Sequence, residues 1–370
     1  MIIRMIINIA VAVLFSAVPA QGADELPAAT SVTEVDSAQP VSLGFRYTSD
    51  LARNWAGGLE RKGSWVGSLG LTADLDLQRL AGLRGADVHF EALGTHGIRS
   101  TGAIGDLQGT SSIVGPSKLQ LYQAFLQQRL FGDRLSLIAG IHDLNTEFYV
   151  TESSGLFAHA SFGMGPELAM SGTAGPSAYP MTSLGARAKV TITDSLELAV
   201  GAYDGDPTRW EISGDTGLLG VSELAQGFTI NGLRGRAAIG AWGYDQASDF
   251  GGYLTYDQRV YEPVIGGATG LSIFWRAGAA APRTDAVSWS VTSGLAYTGL
   301  VPGRGDDVVG VGTAVAAMGA GRETAVELTY QAQLWSWLKV QPDFQWIIDP
   351  GMSTSAANAV QGGVRMEVAL

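Results

Sequence analysis

The chain has no cysteine, only four histidines, and 23 basic residues among 370. The missing thiols exclude a disulfide scaffold and thiolate metal sites. His89, His96, His142 and His159 show no metal-ligand spacing of the HExxH kind, so no metal is expected. Against 35 acidic residues the formal charge is −12. That excludes nucleic acid as a partner, since phosphate recognition wants a basic surface. A GxSxG nucleophile elbow is missing, and so is a Ser-His-Asp order in a supporting context. His142 and Asp143, adjacent in sequence, point to opposite faces of a strand and cannot cooperate simply. An enzyme is not expected.

Long apolar runs are missing too, apart from the N-terminus. Arg4 is followed by an apolar run from Met5 to Phe15 and then Ser16-Ala17-Val18-Pro19-Ala20-Gln21. The run is too short to span a bilayer, and small residues at 18 and 20 mark a cleavage site, so 1–20 reads as a signal peptide. Removing Arg4 leaves 22 basic residues against 35 acidic, a charge of −13. Residues 21–40 are small, polar and without period, and read as a periplasmic lead-in. Beyond them nothing approaches the ~20 apolar residues of a spanning helix. The exported chain is therefore either soluble or a barrel of strands.

What is present decides between these. From Trp65 to Leu77 alternate residues are apolar or small: Trp65, Gly67, Leu69, Leu71, Ala73, Leu75, Leu77. Between them stand Val66, Ser68, Gly70, Thr72, Asp74 and Asp76, so the stretch has one oily face and one that turns polar. Similar segments predict strands at 41–49, 64–79, 85–95, 118–131, 134–147, 182–193, 195–204 and 218–231. They continue at 233–243, 250–261, 269–280, 287–298, 306–317, 323–335, 337–348 and 359–370. Strand 218–231 is the least regular, its alternation breaking at Gly227. About 16 strands is an even number of the kind bacterial outer-membrane barrels use.

Connection lengths support the same reading. The gaps 50–63, 96–117, 148–181 and 205–217 are long, whereas 80–84, 132–133 and 194 are short. Long extracellular loops and short periplasmic turns give this alternation, and a soluble sandwich has no reason for it. The connections 262–268 and 299–305 are periplasmic without being tight. Inward rows carry charge, as at Arg187 and Lys189, or Arg365 and Glu367, which is costly in a dry core and cheap in a wet lumen. Aromatics near strand ends (Tyr47, Phe131, Tyr261, Trp335, Trp337, Trp346) suit the headgroup level. The fold class is all-β, a transmembrane antiparallel barrel over 41–370. A secreted β-sandwich lectin is the soluble competitor, but its strands should be shorter and its interior oily.

From Gly140-Ile141-His142-Asp143-Leu144-Asn145 the sequence resembles the carbohydrate-selective porins of the OprB family. The likeness continues through Gly155-Leu156-Phe157-Ala158-His159 and Ala178-Tyr179-Pro180, then Gly252-Tyr253-Leu254-Thr255-Tyr256. It returns at Gly270-Leu271-Ser272-Ile273-Phe274-Trp275-Arg276 and Gly294-Leu295-Ala296-Tyr297, with Pro302-Gly303-Arg304 and Asp307 after them. Glu327-Leu328-Thr329-Tyr330, Leu338 to Trp346 and Asp349-Pro350-Gly351 complete it. Each piece is short; their shared order from 41 to 370 is what makes the match specific. The resemblance implies a 16-stranded outer-membrane barrel that passes glucose and related sugars by diffusion, without a cofactor. Region 205–231 departs from the pattern, as does Leu370 where such barrels usually end in an aromatic.

A sugar-selective pore needs planar cations and carboxylates for hydroxyls and rings for pyranose faces. The 34-residue connection 148–181 is the longest, and in porins such a loop folds into the lumen. It carries Glu152, Phe157, His159, Phe162 and Glu167. On inward faces the candidates are Arg46, Glu91, Asp143, Arg187, Lys189, Arg259, Arg276 and Arg365. Arg276, sharing its face with Phe274, is the most sugar-like pairing. Asp74 and Asp76 read as lumen groups, since two carboxylates alone make no metal cage. Expected partners are small sugars, outer-membrane lipid and lipopolysaccharide. A general or cation-leaning diffusion pore is the alternative within the class, and monomer and homotrimer both stay open.

Overall fold

The computed structural model describes residues 39–98, 103–209, 217–246, 249–281, 286–353 and 356–370. The expected signal peptide and nearly all of the lead-in lie outside these residues. Sixteen antiparallel strands form one closed barrel in which every strand pairs with its sequence neighbours. The strands are β1 (Val41–Gly58), β2 (Gly63–Asp76), β3 (Ala86–Ile98), β4 (Lys118–Leu130), β5 (Leu135–His142), β6 (Ser183–Thr193), β7 (Leu196–Asp204) and β8 (Leu218–Ile230). The second half comprises β9 (Leu233–Tyr244), β10 (Phe250–Tyr261), β11 (Gly270–Ala280), β12 (Trp289–Thr298), β13 (Val308–Met318), β14 (Gly321–Trp335), β15 (Leu338–Ile348) and β16 (Ala357–Ala369). The barrel closes between β1 and β16, with Arg46 opposite Ala369. Phe45 and Leu370 seal that seam by exchanging backbone hydrogen bonds of 3.1 and 2.9 Å. No sheet edge is left open around the ring, as a strand structure in lipid requires.

Three of the boundaries that differ from the sequence reading have a visible cause. β1 runs nine residues past its expected end at 49, to Gly58, so most of the expected first loop is wall. Leu51 and Trp55 continue its outward row, exposed to 63% and 54%. The polar residues Asp50 and Asn54 point inward to partners, which is what disguised the segment as a loop. β2 stops at Asp76 because its side chain accepts from Arg79 N (3.1 Å) and caps a one-turn helix, Leu77–Ala81. Gly82 ends that helix at φ +74°, a left-handed conformation that favours glycine. β5 ends at His142 rather than 147, and Asp143 caps a 3-10 turn over Leu144–Thr146. The irregular segment 218–231, by contrast, pairs along its length with β7 and β9.

Alternation decides what each row meets. Outward rows are apolar and open, with Leu43 at 76% exposure and Leu71, Leu254, Leu328, Val364 and Met366 likewise uncovered. Trp335 and Trp337 stack at 5.5 Å beside the β14–β15 turn, and Phe131 and Tyr261 are also exposed near strand ends. Exposed apolar rows of this extent are stable only against lipid. No helix among the described residues is long and apolar enough to cross a membrane; the strands do so instead.

The two faces of β2 make this testable. Leu71→Arg, near the middle of the outward row, should cost about 2–4 kcal/mol, and Thr72→Arg, one residue on and facing the lumen, about 1 or less. Denaturant unfolding of the barrel in lipid vesicles measures both. Equal penalties would contradict the assignment of faces.

Candidate functional site

The lumen is occupied by two connections that fold inward from the extracellular end. L2 joins β3 to β4, and L3 joins β5 to β6 across 143–182. A loop inside a barrel must satisfy its own backbone polar groups, and inward side chains of the wall do this here. Glu327 on β14 accepts from Ala158 N (2.6 Å) and His159 N (2.9 Å). Asp257 on β10 accepts from Ser153 N (2.7 Å) and its hydroxyl (2.8 Å). Glu223 on β8 accepts from Tyr149 N (2.9 Å), while Arg236 (2.7 Å) and Tyr253 (2.8 Å) hold its carboxylate. Gln341 on β15 donates to Leu156 O at 2.7 Å.

L2 is held the same way. Glu323 on β14 accepts from Leu107 N (2.8 Å), Gln108 N (3.0 Å) and Gly351 N (2.6 Å). Asp50 on β1 binds Ser111 and takes a two-toothed ion pair from Arg365 on β16, both contacts 2.7 Å. The two loops also join each other, through Ser112 N to Ala158 O (2.8 Å) and Ala160 N to Gly109 O (3.0 Å).

Behind L3 the wall is made of small residues. Gly310 and Gly312 on β13 and Gly294 on β12 face inward, and a Cβ at either β13 glycine would strike Leu156, Phe157 or Phe162. Phe157 and Phe162 stack at 4.4 Å, and Phe274 of β11 packs on both. These rings form a dry cluster with Ala296, Ala314 and Ala325. The sequence reading placed Phe157, Phe162 and Phe274 on the lumen surface. The structure puts them between loop and wall, because the glycine and alanine rows leave a depression their rings fill.

Arg276 needs the same correction. It is 1% exposed, and its guanidinium donates to Thr292 Oγ1 (3.1 Å), Tyr149 O (3.3 Å), Gly163 O (2.8 Å) and Ser161 O. It holds L3 and does not reach the lumen. Glu167 is equally buried, bound by the Tyr149 hydroxyl (2.8 Å) and Ser290, and burial pushes its carboxyl up. His159 is fully buried, and burial pushes its imidazole down to about 3. Asp143 accepts from Asn145 N (2.7 Å) and from the Tyr122 hydroxyl. It caps a turn, not a strand face, and burial raises it to about 6.

The remaining candidates, Arg187 excepted, are at least partly exposed. Arg46 and Glu152 are exposed and in no ion pair among the described residues. Glu91, whose Oε1 lies over Gly70, is held by Gln123 Nε2 at 2.9 Å. Arg187 is buried against Ser136 and Glu147, leaving Lys189 half-exposed 3.9 Å from that carboxylate. Arg259 stands at the periplasmic mouth, bound to Glu262 (3.1 Å) and Ala268 O (2.6 Å). Asp74 pairs with His89 at 2.7 Å. No group of three or more His, Asp or Glu residues fit to hold a metal occurs among the described residues. The anchors Glu223, Asp257, Glu323 and Glu327 escaped the sequence reading. Their one visible trait was an acid on an inward row, shared with many residues that anchor nothing.

A closed 16-strand barrel with an in-folded loop pair and a charged lumen defines an outer-membrane diffusion porin. The chain belongs to the carbohydrate-selective porins of the OprB family, whose model matches residues 60–247 and 222–370. It is similar to OprB of Pseudomonas putida in its high-pH structure, at 21% identity and TM-score 0.80 over 90% of this chain and 94% of that one. The low-pH structure of the same protein gives 19% identity and TM-score 0.65 over 90% and 93%. A loop-deletion mutant of OmpT from Vibrio cholerae gives 12% identity and TM-score 0.56 over 90% and 100%. No curated protein sequence matches the chain.

Two predictions follow from the docking of L3. Glu327→Ala strands two buried amides, each worth about 1–3 kcal/mol, so single-channel conductance should rise and hydrogen exchange at 158–160 should quicken. Unchanged exchange would remove Glu327 as an anchor. Acidification should act with opposite signs within this one loop. Asp143 has a raised folded pKa of about 6, so its stabilisation is present below about pH 4 and lost as pH rises through 6. His159 has a lowered folded pKa of about 3, so its stabilisation is present above about 6.5 and lost as pH falls toward 3. From pH 7 to 4, exchange corrected for intrinsic rates should slow at 143–146 and quicken at 159–162; a uniform response would contradict both assignments.

Proposed function

We propose that sugars cross along the part of the lumen that the docked loops leave open, bordered by Arg46, Glu91, Glu147, Lys189 and Glu152. The observation that carries this reading is the one-sided docking of the middle of L3. From Tyr149 to Glu167 its anchors sit on β8, β10, β11, β12, β14 and β15, and only its two ends bond to β4 and β6, so the lane falls to the wall opposite that middle stretch. There, the exposed Arg46 and Glu152 stand with the partly exposed Glu91, Glu147, Lys189 and Gln127, a set suited to exchanging water for sugar hydroxyls. Arg276, Phe274, Phe157, Phe162, His159 and Glu167 act one layer back, as positioning residues that fix how far L3 stands from that wall. Residues 1–20 are read as a cleaved signal peptide and 21–40 as a periplasmic lead-in. The outward apolar rows are read as the contact with outer-membrane lipid and lipopolysaccharide.

Planar-bilayer conductance with and without glucose tests the lane. Current through the wild type should fall with sugar concentration. Glu91→Ala and Lys189→Ala should each weaken that block by about 2–10-fold, the worth of one hydrogen bond, with smaller effects on ion conductance. Arg276→Ala should shift block and conductance together, since it acts through the loop. Indifference of the wild-type current to glucose would favour a general diffusion pore instead.

A further inference from the structure

A second chamber lies off the lumen beneath L2. It has a volume of about 170 Å³ and is bordered by the inward rows of β1, β15 and β16, with Thr110 and Ser111 of L2 and Ala158 of L3 above. Its bare side is Ala52 opposite Gly363, and Gly363 in turn lies opposite Asp343. A side chain at 363 has no room, since a Cβ there would meet Leu51 O at 2.7 Å and Ala52 Cβ at 2.9 Å. One acceptor borders the chamber without a donor: Gln361 Oε1, on a side chain 4% exposed. The nearby cation is committed elsewhere, Arg365 Nε and Nη2 being engaged by both oxygens of Asp50 and by Ser112 Oγ at 3.2 Å.

An unmatched buried acceptor is costly, so such a chamber favours whatever brings hydroxyl donors. A bare cation fits poorly, since the described residues contain no cluster of three titratable ligands suited to a metal. Resting on the porin function proposed above, we infer that this chamber is a binding subsite for a single neutral polyhydroxyl molecule, one monosaccharide, with Gln361 accepting from one of its hydroxyls. The volume admits one sugar ring and not two. The flat Ala52–Gly363 surface suits the C–H face of a pyranose. The same space filled by solvent would hold a handful of waters at about 30 Å³ each, and this is the outcome the experiment must exclude.

The test uses the full-length porin, with D-glucose as the probe. Saturation-transfer NMR in detergent measures binding, and bilayer conductance measures transport. Gln361→Met keeps the volume and removes the acceptor, whereas Ala52→Leu keeps the acceptor and fills the space. Each should weaken saturable glucose binding by about ten-fold, as loss of a hydrogen bond to a buried group does, while open-channel ion conductance stays at the wild-type value. Wild-type affinity retained in both variants, or conductance falling in step with affinity, would overturn the subsite and mark a solvent-filled or purely structural chamber. A wild type that neither binds glucose nor is blocked by it would overturn the transport reading as well. Block without any effect of the two variants would overturn the chamber alone.

Discussion

Everything inside this barrel depends on wall carboxylates taking hydrogen bonds from loop backbone amides. A loop that leaves the mouth and enters the lumen carries N–H groups away from bulk water, and each must find an acceptor. Strand pairing is not available to it, because every strand already has two neighbours. Glu223, Asp257, Glu323 and Glu327 supply the acceptors, and a carboxylate can serve two or three amides at once. A few residues therefore fix long stretches of chain that have little secondary structure of their own.

The same wall supplies the shape. Amide clamps set where the loop backbone lies, but its distance from the wall is set by side chains caught between them. Gly310 and Gly312 remove bulk where Phe157 and Phe162 must enter, Gly294 does so for Phe274, and Arg276 ties the carbonyls of Tyr149, Ser161 and Gly163 to the same region. Polar clamps and the aromatic cluster thus act in series. The clamps determine register along the barrel, and the rings determine depth. The bore of the lane is what remains after both are satisfied, so residues that never touch a solute can govern what passes.

How much of this was legible in the sequence follows from which interactions are periodic. The barrel was readable because alternation repeats every two residues and lipid demands it of each strand. Strand ends were less readable: β1 runs past Asp50 and Asn54 because their partners, Arg365 and the Gly57 and Glu60 carbonyls, lie elsewhere in the chain or in an unpatterned turn. The inward positions of Arg276 and Phe274 were legible, and their burial was not. An inward residue faces either water or a docked loop, and the choice depends on where a 40-residue connection lies against the wall. Nothing in local spacing encodes that L3 leans on β8–β15. The anchors of L3 are each more than 70 residues from the amides they hold, a distance at which a single sequence carries no pairing signal.

The charge pattern of the lumen bears on what it admits. Most inward charges are paired at contact distance: Arg365 with Asp50, Arg236 with Glu223, Arg129 with Asp87, Lys339 with Glu367, Arg187 with Glu147. A paired charge keeps its hydrogen-bonding atoms but contributes little field beyond its partner, and the field is screened further by the water of the lumen. A pore that selects ions does the opposite, lining its narrows with rings of one sign. An overall excess of acid in the sequence therefore says little about the solute, because the acids of the wall are consumed by loop amides and by guanidinium groups. What remains facing the lane is a mixed set of donors and acceptors that includes Arg46, Glu91 and Glu152, in no ion pair among the described residues. A neutral solute rich in hydroxyls gains from such a surface, whereas an ion meets charges of both signs along it.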